Sequence, residues 1–456
     1  MEYEEFIRNK THSSINWGID PSFIPDSMFD FQRFVAELAI KKGRCAVFLD
    51  TGLGKTLIEL VIAVNYAKHT NKPVLIITPL AVAFQFIREA EKFGIDDIMY
   101  SKDGKYHTKI VTCNYDRLDK FNYSDFECVI LDESGILKNY DGATRQSLTN
   151  FLRKVKYRFL FTATPSPNDF VELGTSSEAL GYLGYTDMLT RFFTNNEDTI
   201  KPQNIGTEWI LKGHAKDNFF KWVSGWSISA RKPSDLGFSD ERHVLPELKV
   251  SYHSITNDKN LVVNGQEMLF NAIARRLIEI KVEQRMTVEN RCIAAVGLSK
   301  SHENSVYWCN LNDEGDLIQQ LDKSAYQIKG TMDLDKKEEL LLGFFNGEIQ
   351  KLITKPKMTA FGLNWQHCNH TVFFPTFSYE QYYQAIRRFW RFGQLKEVYV
   401  DVVYSDGQKR VLDSLLAKTE KANELFNKLN SNLHKNYEIK NKEFNKQILL
   451  PKFILQ

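Results

Sequence analysis

The chain has 456 residues, 43% hydrophobic and 13% aromatic, enough for two or three domains with separate cores and unlike a disordered chain. A formal charge of +2 excludes a polycation that binds nucleic acid through its tails, so any nucleic-acid surface has to be a local groove. The six cysteines form no Cys-x-x-Cys pair, the N-terminal stretch is acidic, and no apolar run nears the roughly 20 residues that span a bilayer, so the expectation is a cytoplasmic, soluble protein with no membrane partner.

Runs rich in β-branched and aromatic residues predict strands at 45–50, 74–79, 109–113, 127–133 and 157–164. They return at 305–310, 325–330, 351–356, 370–375 and 398–405. Near-continuous apolar strands separated by helices predict parallel sheets covered on both faces, and two such sets predict two α/β lobes. Between them, 166–300 reads as a mostly helical insertion and linker, with a connector punctuated by Pro and Gly at 231–250 and a long helix across 271–296. Trp209, Trp222 and Trp226 read as its core rather than as a platform for stacking bases. From Lys418 the tail carries eight Lys against four Glu and reads as a solvated helix.

The first strand runs into Thr51-Gly52-Leu53-Gly54-Lys55-Thr56 and then an apolar helix. The full phosphate-loop pattern would need glycine where Leu49 stands, so this is a shortened form. Strand, glycines and helix N-terminus still place backbone N–H groups where phosphates can sit. Lys55 would neutralise the β and γ phosphates of a nucleoside triphosphate, and Thr56 would offer a hydroxyl to magnesium. The strand at 127–133 ends in Asp132-Glu133, two acids at the carboxyl edge of a sheet, where ligands of α/β folds bind. Asp132 would hold the metal and Glu133 would deprotonate a water. Farther on, Ser378 and Gln381 have capping-box spacing, and a helix continued to Gly393 would put Gln384, Arg388 and Arg391 on one face. An arginine finger there would meet charge developing on the γ-phosphate. Arg387 points elsewhere in that reading. His367, Cys368 and His370 invite a metal reading, which fails because no second ligand cluster follows.

In order, these segments resemble a superfamily 2 helicase or translocase with two tandem RecA-like lobes. More closely they resemble the short Swi/Snf-like, DEAD/DEAH-type proteins of phages and mobile elements. "DFQRF" looks like the adenine-reading segment, "DTGLGKT" motif I, "LIITPLAVAFQF" motif Ia and "IVTCNYDRL" motif Ib. "LDESGILKN" looks like motif II, "FTATPSPND" motif III, "TKPKMTAFGLNWQ" motif V and "QAIRRFWRFGQ" motif VI. The resemblance implies that ATP binds between the lobes with Gln32 reading adenine. It also implies that Gly362, Asn364 and Gln384, with Arg388 and Arg391 as catalytic groups, complete the ATP site. Thr162 and Thr164 would couple the two sites, and Pro79, Gln85, Asn114, Lys357 and Thr359 would touch nucleic acid. Ser134-Gly135 departs from the Ala-His of many helicases, and Lys355–Thr359 departs from the small residues of chromatin-type relatives.

The expected organisation is an ATP-binding lobe at 1–165, the insertion at 166–300, and a second lobe with a helical tail at 301–456. The expected activity is that of a monomeric DNA-dependent ATPase moving along DNA in phage or mobile-element replication, recombination or repair, with proteins of those processes as partners. An ATP-gated DNA clamp or partner-recruiting module is the alternative, and an RNA helicase a weaker one.

Overall fold

A computed structural model describes residues 17–138, 142–195, 209–256, 262–263, 266–267, 277–359 and 365–437. The described residues up to His243 and from Lys421 onward form one unit, and those from Val244 to Glu420 another.

The first unit is built on seven strands, β1 (Arg44–Leu49), β2 (Val74–Thr78), β3 (Ile98–Tyr100), β4 (Ile110–Asn114), β5 (Cys128–Leu131), β6 (Tyr157–Thr162) and β7 (Ser227–Ala230). They lie in the order β3-β4-β2-β5-β6-β1-β7, and every neighbouring pair is parallel. The period of two sorts the side chains onto two cores. Cys45, Val47 and Leu49 of β1 face one core, with α1 (Asp30–Lys42), α2 (Lys55–Thr70) and α3 (Leu80–Lys92) over it. Ala46 and Phe48 face the other, under Leu148 and Leu152, Leu173 and Leu180, and Phe219, Phe220 and Trp226. Each fully buried Leu, Ile, Val or Phe contributes about 1.5–3 kcal/mol, which is why the strands read as unbroken apolar runs.

The second unit carries β8 (Leu248–Ile255), β9 (Ser305–Trp308), β10 (Ala325–Gln327), β11 (Lys351–Thr354), β12 (His370–Phe373) and β13 (Val398–Ser405). Their order is β8-β13-β12-β9-β11-β10, again parallel throughout. Tyr307, Ile353, Val372 and Val403 pack against Cys292, Ala295 and Val296 of the helix Val288–Ser299. Arg291 and Glu314 form a fully buried ion pair at 2.6 Å, and Glu314 also accepts from the backbone N–H groups of Asn310 and Leu311. Each unit has the helix-covered parallel sheet of a RecA-like lobe.

The expected strands are all present, but β3, β7 and β8 are additional. The two compact units divide at His243/Val244 and Glu420/Lys421. β7 pairs in parallel with β1 from Ala46↔Ser227 to Leu49↔Ala230 and so draws the stretch after 166 into the first sheet. The last helix, Lys409–Tyr437, is not solvated all round: Leu425, Phe426 and Leu429 join the core under β1, and Asn430 Oδ1 accepts from Ser229 Oγ of β7 at 2.7 Å. Trp226 is core as expected, in edge contact with Phe48 at 6.1 Å. The long helix is two helices, Leu277–Met286 and Val288–Ser299, with 271–276 outside the described residues. All six cysteines are unpaired and buried. Among the described residues, no helix is long and apolar enough to cross a membrane, and no three or more His, Cys, Asp or Glu side chains converge closely enough to ligate one metal ion directly.

Candidate nucleotide site

β6 lies between β5 and β1, so three consecutive strands end at one edge of the sheet. β1 delivers the glycine-rich turn there, β5 delivers Asp132 and Glu133, and β6 delivers Thr162 between them.

The turn is tight. Gly52 and Gly54 have φ of 91° and 79°, the left-handed region that glycine enters without steric cost. Gly54 is the N-cap of α2, and Ile58 N donates to its carbonyl at 3.2 Å. Asp50, almost fully buried, accepts from Thr51 N at 2.6 Å, while its own N–H donates to Ala230 O of β7 at 3.0 Å. The Lys55 ammonium donates to Leu49 O at 3.0 Å and Asp50 O at 3.4 Å, covering carbonyls that the strand leaves at its end. Leu53 is buried, and Thr51 and Thr56 are half-buried at the turn's rim.

Gln32 reaches this turn from α1. Its Nε2 donates to Leu53 O at 3.1 Å and its Oε1 accepts from Phe29 N at 3.1 Å. Beside it, Phe29 and Phe31 stack at 6.0 Å, and His243 meets both edge-on at 5.0 Å. Burial pushes His243 down to about 4, so it is a neutral ring at physiological pH.

Asp132 is buried, and its Oδ2 accepts from Thr78 Oγ1 of β2 at 2.8 Å. Burial raises its carboxyl above the usual range, against the opposing pull of Thr78 and Lys55. Glu133 adopts φ 52°, a left-handed conformation costly for a side-chain-bearing residue, and its Oε2 accepts from Thr162 Oγ1 at 3.4 Å. Thr162 Oγ1 in turn accepts from Thr164 N at 3.0 Å. Tyr115 holds the chain just after β5, its hydroxyl donating to the carbonyls of Asp132 and Glu133.

Glu59 of α2 is fully buried, and neither carboxyl oxygen has a hydrogen-bond partner among the described residues. Burial pushes it well above the usual carboxylate range; Asp132 and Glu133 push the same way and Lys55 opposes them. The sequence reading missed Thr78, Tyr115 and Glu59. Only Glu59 left a signal, as the one charged residue between Lys55 and Lys68 in an otherwise apolar helix.

These residues fit a magnesium nucleotide. A Cβ built on Gly54 would come within 2.2 Å of Gln32 Nε2, so a side chain there would displace Gln32 from the turn. The bare oxygens of Glu59, with Asp132 and Glu133 nearby, set acids against the single ammonium of Lys55. A hard divalent cation with oxygen ligands suits that donor set.

The other expected site residues are placed as follows. Pro79 caps α3, and Asn114 closes β4 beside Thr78, accepting from Tyr100 OH at 3.3 Å. The Gln85 and Thr359 side chains and all of Gly362 and Asn364 lie outside the described residues. Lys357 is exposed on the short helix Pro356–Thr359. In the second unit Ser378 caps its helix, accepting from Gln381 N at 3.3 Å, but that helix ends at Ile386. Gln384 is on it and Arg388 and Arg391 are past it, so the three do not share a helical face. The chain turns because Arg387, buried, donates to Trp390 O at 3.0 Å and packs on the Trp390 ring at 4.3 Å. Burial, with Arg391 next, pushes Arg387 down to about 9. Arg388 lies 5.8 Å from the Trp365 ring, and its carbonyl accepts from Trp365 N.

The DEAD/DEAH box helicase family matches residues 29–173, and the helicase conserved C-terminal domain matches 288–393. A SWI/SNF-related matrix-associated actin-dependent regulator of chromatin subfamily A-like protein 1 from Xenopus tropicalis is 27% identical over 170 residues, 35% of this chain and 18% of that protein. The DNA annealing helicase and endonuclease ZRANB3 of Mus musculus is 29% identical over 180 residues, 35% of this chain and 17% of that protein. The chain thus spans less than a fifth of either relative. The Sulfolobus solfataricus SWI2/SNF2 ATPase core in complex with dsDNA aligns over 92% of this chain and 97% of its own, with a TM-score of 0.41 and 16% identity.

Proposed function

We propose that this chain, which matches the DEAD/DEAH box helicase family and then the helicase conserved C-terminal domain, is a Swi/Snf-like superfamily 2 helicase, a nucleic-acid-dependent ATP hydrolase that acts on DNA as a translocase or helicase. The observation that carries the reading is the meeting of Lys55, Asp132, Glu133 and Thr162 at one sheet edge, around a turn in which Gly52 and Gly54 take left-handed backbone and Gln32 closes on Gly54.

In this reading Gln32 recognises adenine, the N–H groups at 51–56 hold phosphate oxygens, and Lys55 neutralises the β and γ phosphates. Thr56 and Asp132 would hold magnesium, which when bound would supply positive charge to the phosphate oxygens. Glu133 orients the attacking water and takes its proton, and Thr162 fixes the Glu133 carboxylate for that task. On the sequence resemblance, Gly362, Asn364, Gln384, Arg388 and Arg391 are assigned to the nucleotide as well, the two arginines to offset charge as the γ-phosphate departs. Pro79, Gln85, Asn114, Lys357 and Thr359 grip the backbone of DNA, and Thr162 with Thr164 transmits nucleotide state to that grip. DNA rather than RNA is favoured by the similarity to ZRANB3, a DNA annealing helicase and endonuclease. The finer setting rests on the sequence resemblance alone: a cytoplasmic monomer serving phage or mobile-element replication, recombination or repair with partner proteins of those processes.

The test is steady-state ATP hydrolysis with single-stranded, duplex and forked DNA and with RNA, wild type beside Glu133→Gln. Stimulation by one DNA form, lost in the variant, is the expected result. Equal low hydrolysis with every nucleic acid would sink the motor reading in favour of an ATP-gated clamp, and stimulation by RNA alone would reassign the track.

A further inference from the structure

Resting on the reading of this edge as a magnesium-nucleotide site, we propose that Glu59 is a third carboxylate of that site, a positioning residue that accepts hydrogen bonds from water bound to the ion held by Thr56 and Asp132.

The placement is geometric. Lys55 and Glu59 are i and i+4 on α2, hence on one face, and helical side chains lean toward the N-terminus of their helix. The Glu59 carboxyl therefore leans over the turn that begins with Lys55 and Thr56. Its electrostatic neighbours are Asp132, Lys55 and Glu133, the groups at the carboxyl edge of the sheet.

What marks Glu59 is contrast with the other buried polar groups. Asn65, farther along α2 and equally buried, uses both ends of its amide: Oδ1 accepts from Ser22 N and Phe23 N, and Nδ2 donates to Phe23 O and Val61 O. Glu314 is met by Arg291 and two backbone N–H groups, and Asp132 by Thr78. Glu283, buried like them, receives Gly407 N on one oxygen. Among the described residues Glu59 alone is an acid with both carboxyl oxygens buried and bare. A buried polar group left unpaired costs about 1–3 kcal/mol, and an acid in a core needs a reason that an apolar residue would not supply. Magnesium sheds its water reluctantly and is held through one or two direct carboxylates with several waters retained, so acceptors beyond the direct ligands are part of such a site.

The experiment uses the full chain and the slowly hydrolysed β,γ-imido analogue of ATP. Analogue affinity is measured by calorimetry in chelator and then across a Mg2+ titration, for wild type and the near-isosteric Glu59→Gln. Glu59→Gln should raise the Mg2+ concentration at half effect by about 10-fold or more, as loss of a partner to a metal ligand does, with affinity in chelator unchanged. A Mg2+ midpoint equal to wild type, whatever the melting temperature does, would overturn the inference and leave Glu59 a core acid. If Glu59→Gln does not fold, Glu59→Asp carries the same comparison: a shifted midpoint supports the proposal and an unshifted one ends it. Analogue binding by wild type that ignores Mg2+ would instead overturn the nucleotide-site reading and this inference together.

Discussion

Thr162 Oγ1 donates to Glu133 Oε2 at 3.4 Å, so the acid that follows β5 is held by the last residue of the neighbouring strand. In the proposed mechanism, loss of that bond loosens the carboxylate, on a side chain with three rotatable bonds, about the water it would orient. Thr162→Val keeps the β-branched shape and removes the hydroxyl. It should lower kcat about 10- to 100-fold, the cost of a small misplacement, with ATP affinity unchanged. Single-turnover hydrolysis beside equilibrium nucleotide binding checks this, and a loss of affinity matching the loss of rate would refute the positioning role.

Glu133 itself holds a left-handed backbone at φ 52°. For a residue with a Cβ that conformation costs about 1–2 kcal/mol, which glycine avoids at the expense of greater freedom in the unfolded chain. Glu133→Gly should therefore melt no lower than Glu133→Ala, although glycine loses to alanine almost everywhere else, and both should be inactive. Thermal melts of the two proteins decide it. Glu133→Ala melting clearly higher would mean that this turn relaxes and stores no strain.

How far the sequence discloses this site depends on how local each signal is. Strands β1, β2, β5 and β6 are buried on both faces and read as apolar runs, and the turn and the acids stand at their ends. β7, Ser-Ile-Ser-Ala, offers no such run. It is a strand because β1 has an edge to cover, a fact of tertiary structure that no window of residues contains. The arginine segment misled for a related reason: spacing predicted one helical face, but the Arg387–Trp390 contact turns the chain after Ile386. The Thr78 bond to Asp132 joins residues far apart in the chain, and nothing near Thr78 announces it.

Gly54 makes a sharper test of the cradle than Lys55. At φ 79° any side chain is strained, and a Cβ would lie 2.2 Å from Gln32 Nε2. Gly54→Ala should cost about 1–2 kcal/mol of stability from the backbone alone and displace Gln32 from Leu53 O. Nucleotide affinity should collapse, and selectivity for adenine over guanine should narrow in whatever binding remains. Paired melts and competition binding with ATP and GTP report the two effects separately. Full retention of selectivity would place adenine recognition away from Gln32.

The second lobe offers a prediction in pH. Asp401 on β13 stands between two histidines, with Oδ1 2.7 Å from His253 Nε2 and Oδ2 2.9 Å from His370 Nε2. His370 is fixed from behind by Ser305 Oγ at 2.7 Å and stacked by His302 at 3.8 Å. Burial alone would raise the Asp401 carboxyl, but the hydrogen bonds from His370 and His253 outweigh it and hold the group below its usual value. Between the lowered native value and the ordinary one of about 3.9, the unfolded chain binds more protons than the native one, so stability rises with pH across that window. The contribution is complete above the ordinary value and is lost as pH falls through the native one. Asp401→Asn should accordingly cost about 1.5–3 kcal/mol at neutral pH, the worth of hydrogen bonds to a charged group, and the deficit should shrink toward zero in strong acid. Urea unfolding of both proteins from neutral pH downward measures it. A deficit of the same size at every pH would mean that shape and hydrogen bonding, not the charge on Asp401, hold the three strands β8, β12 and β13 in register.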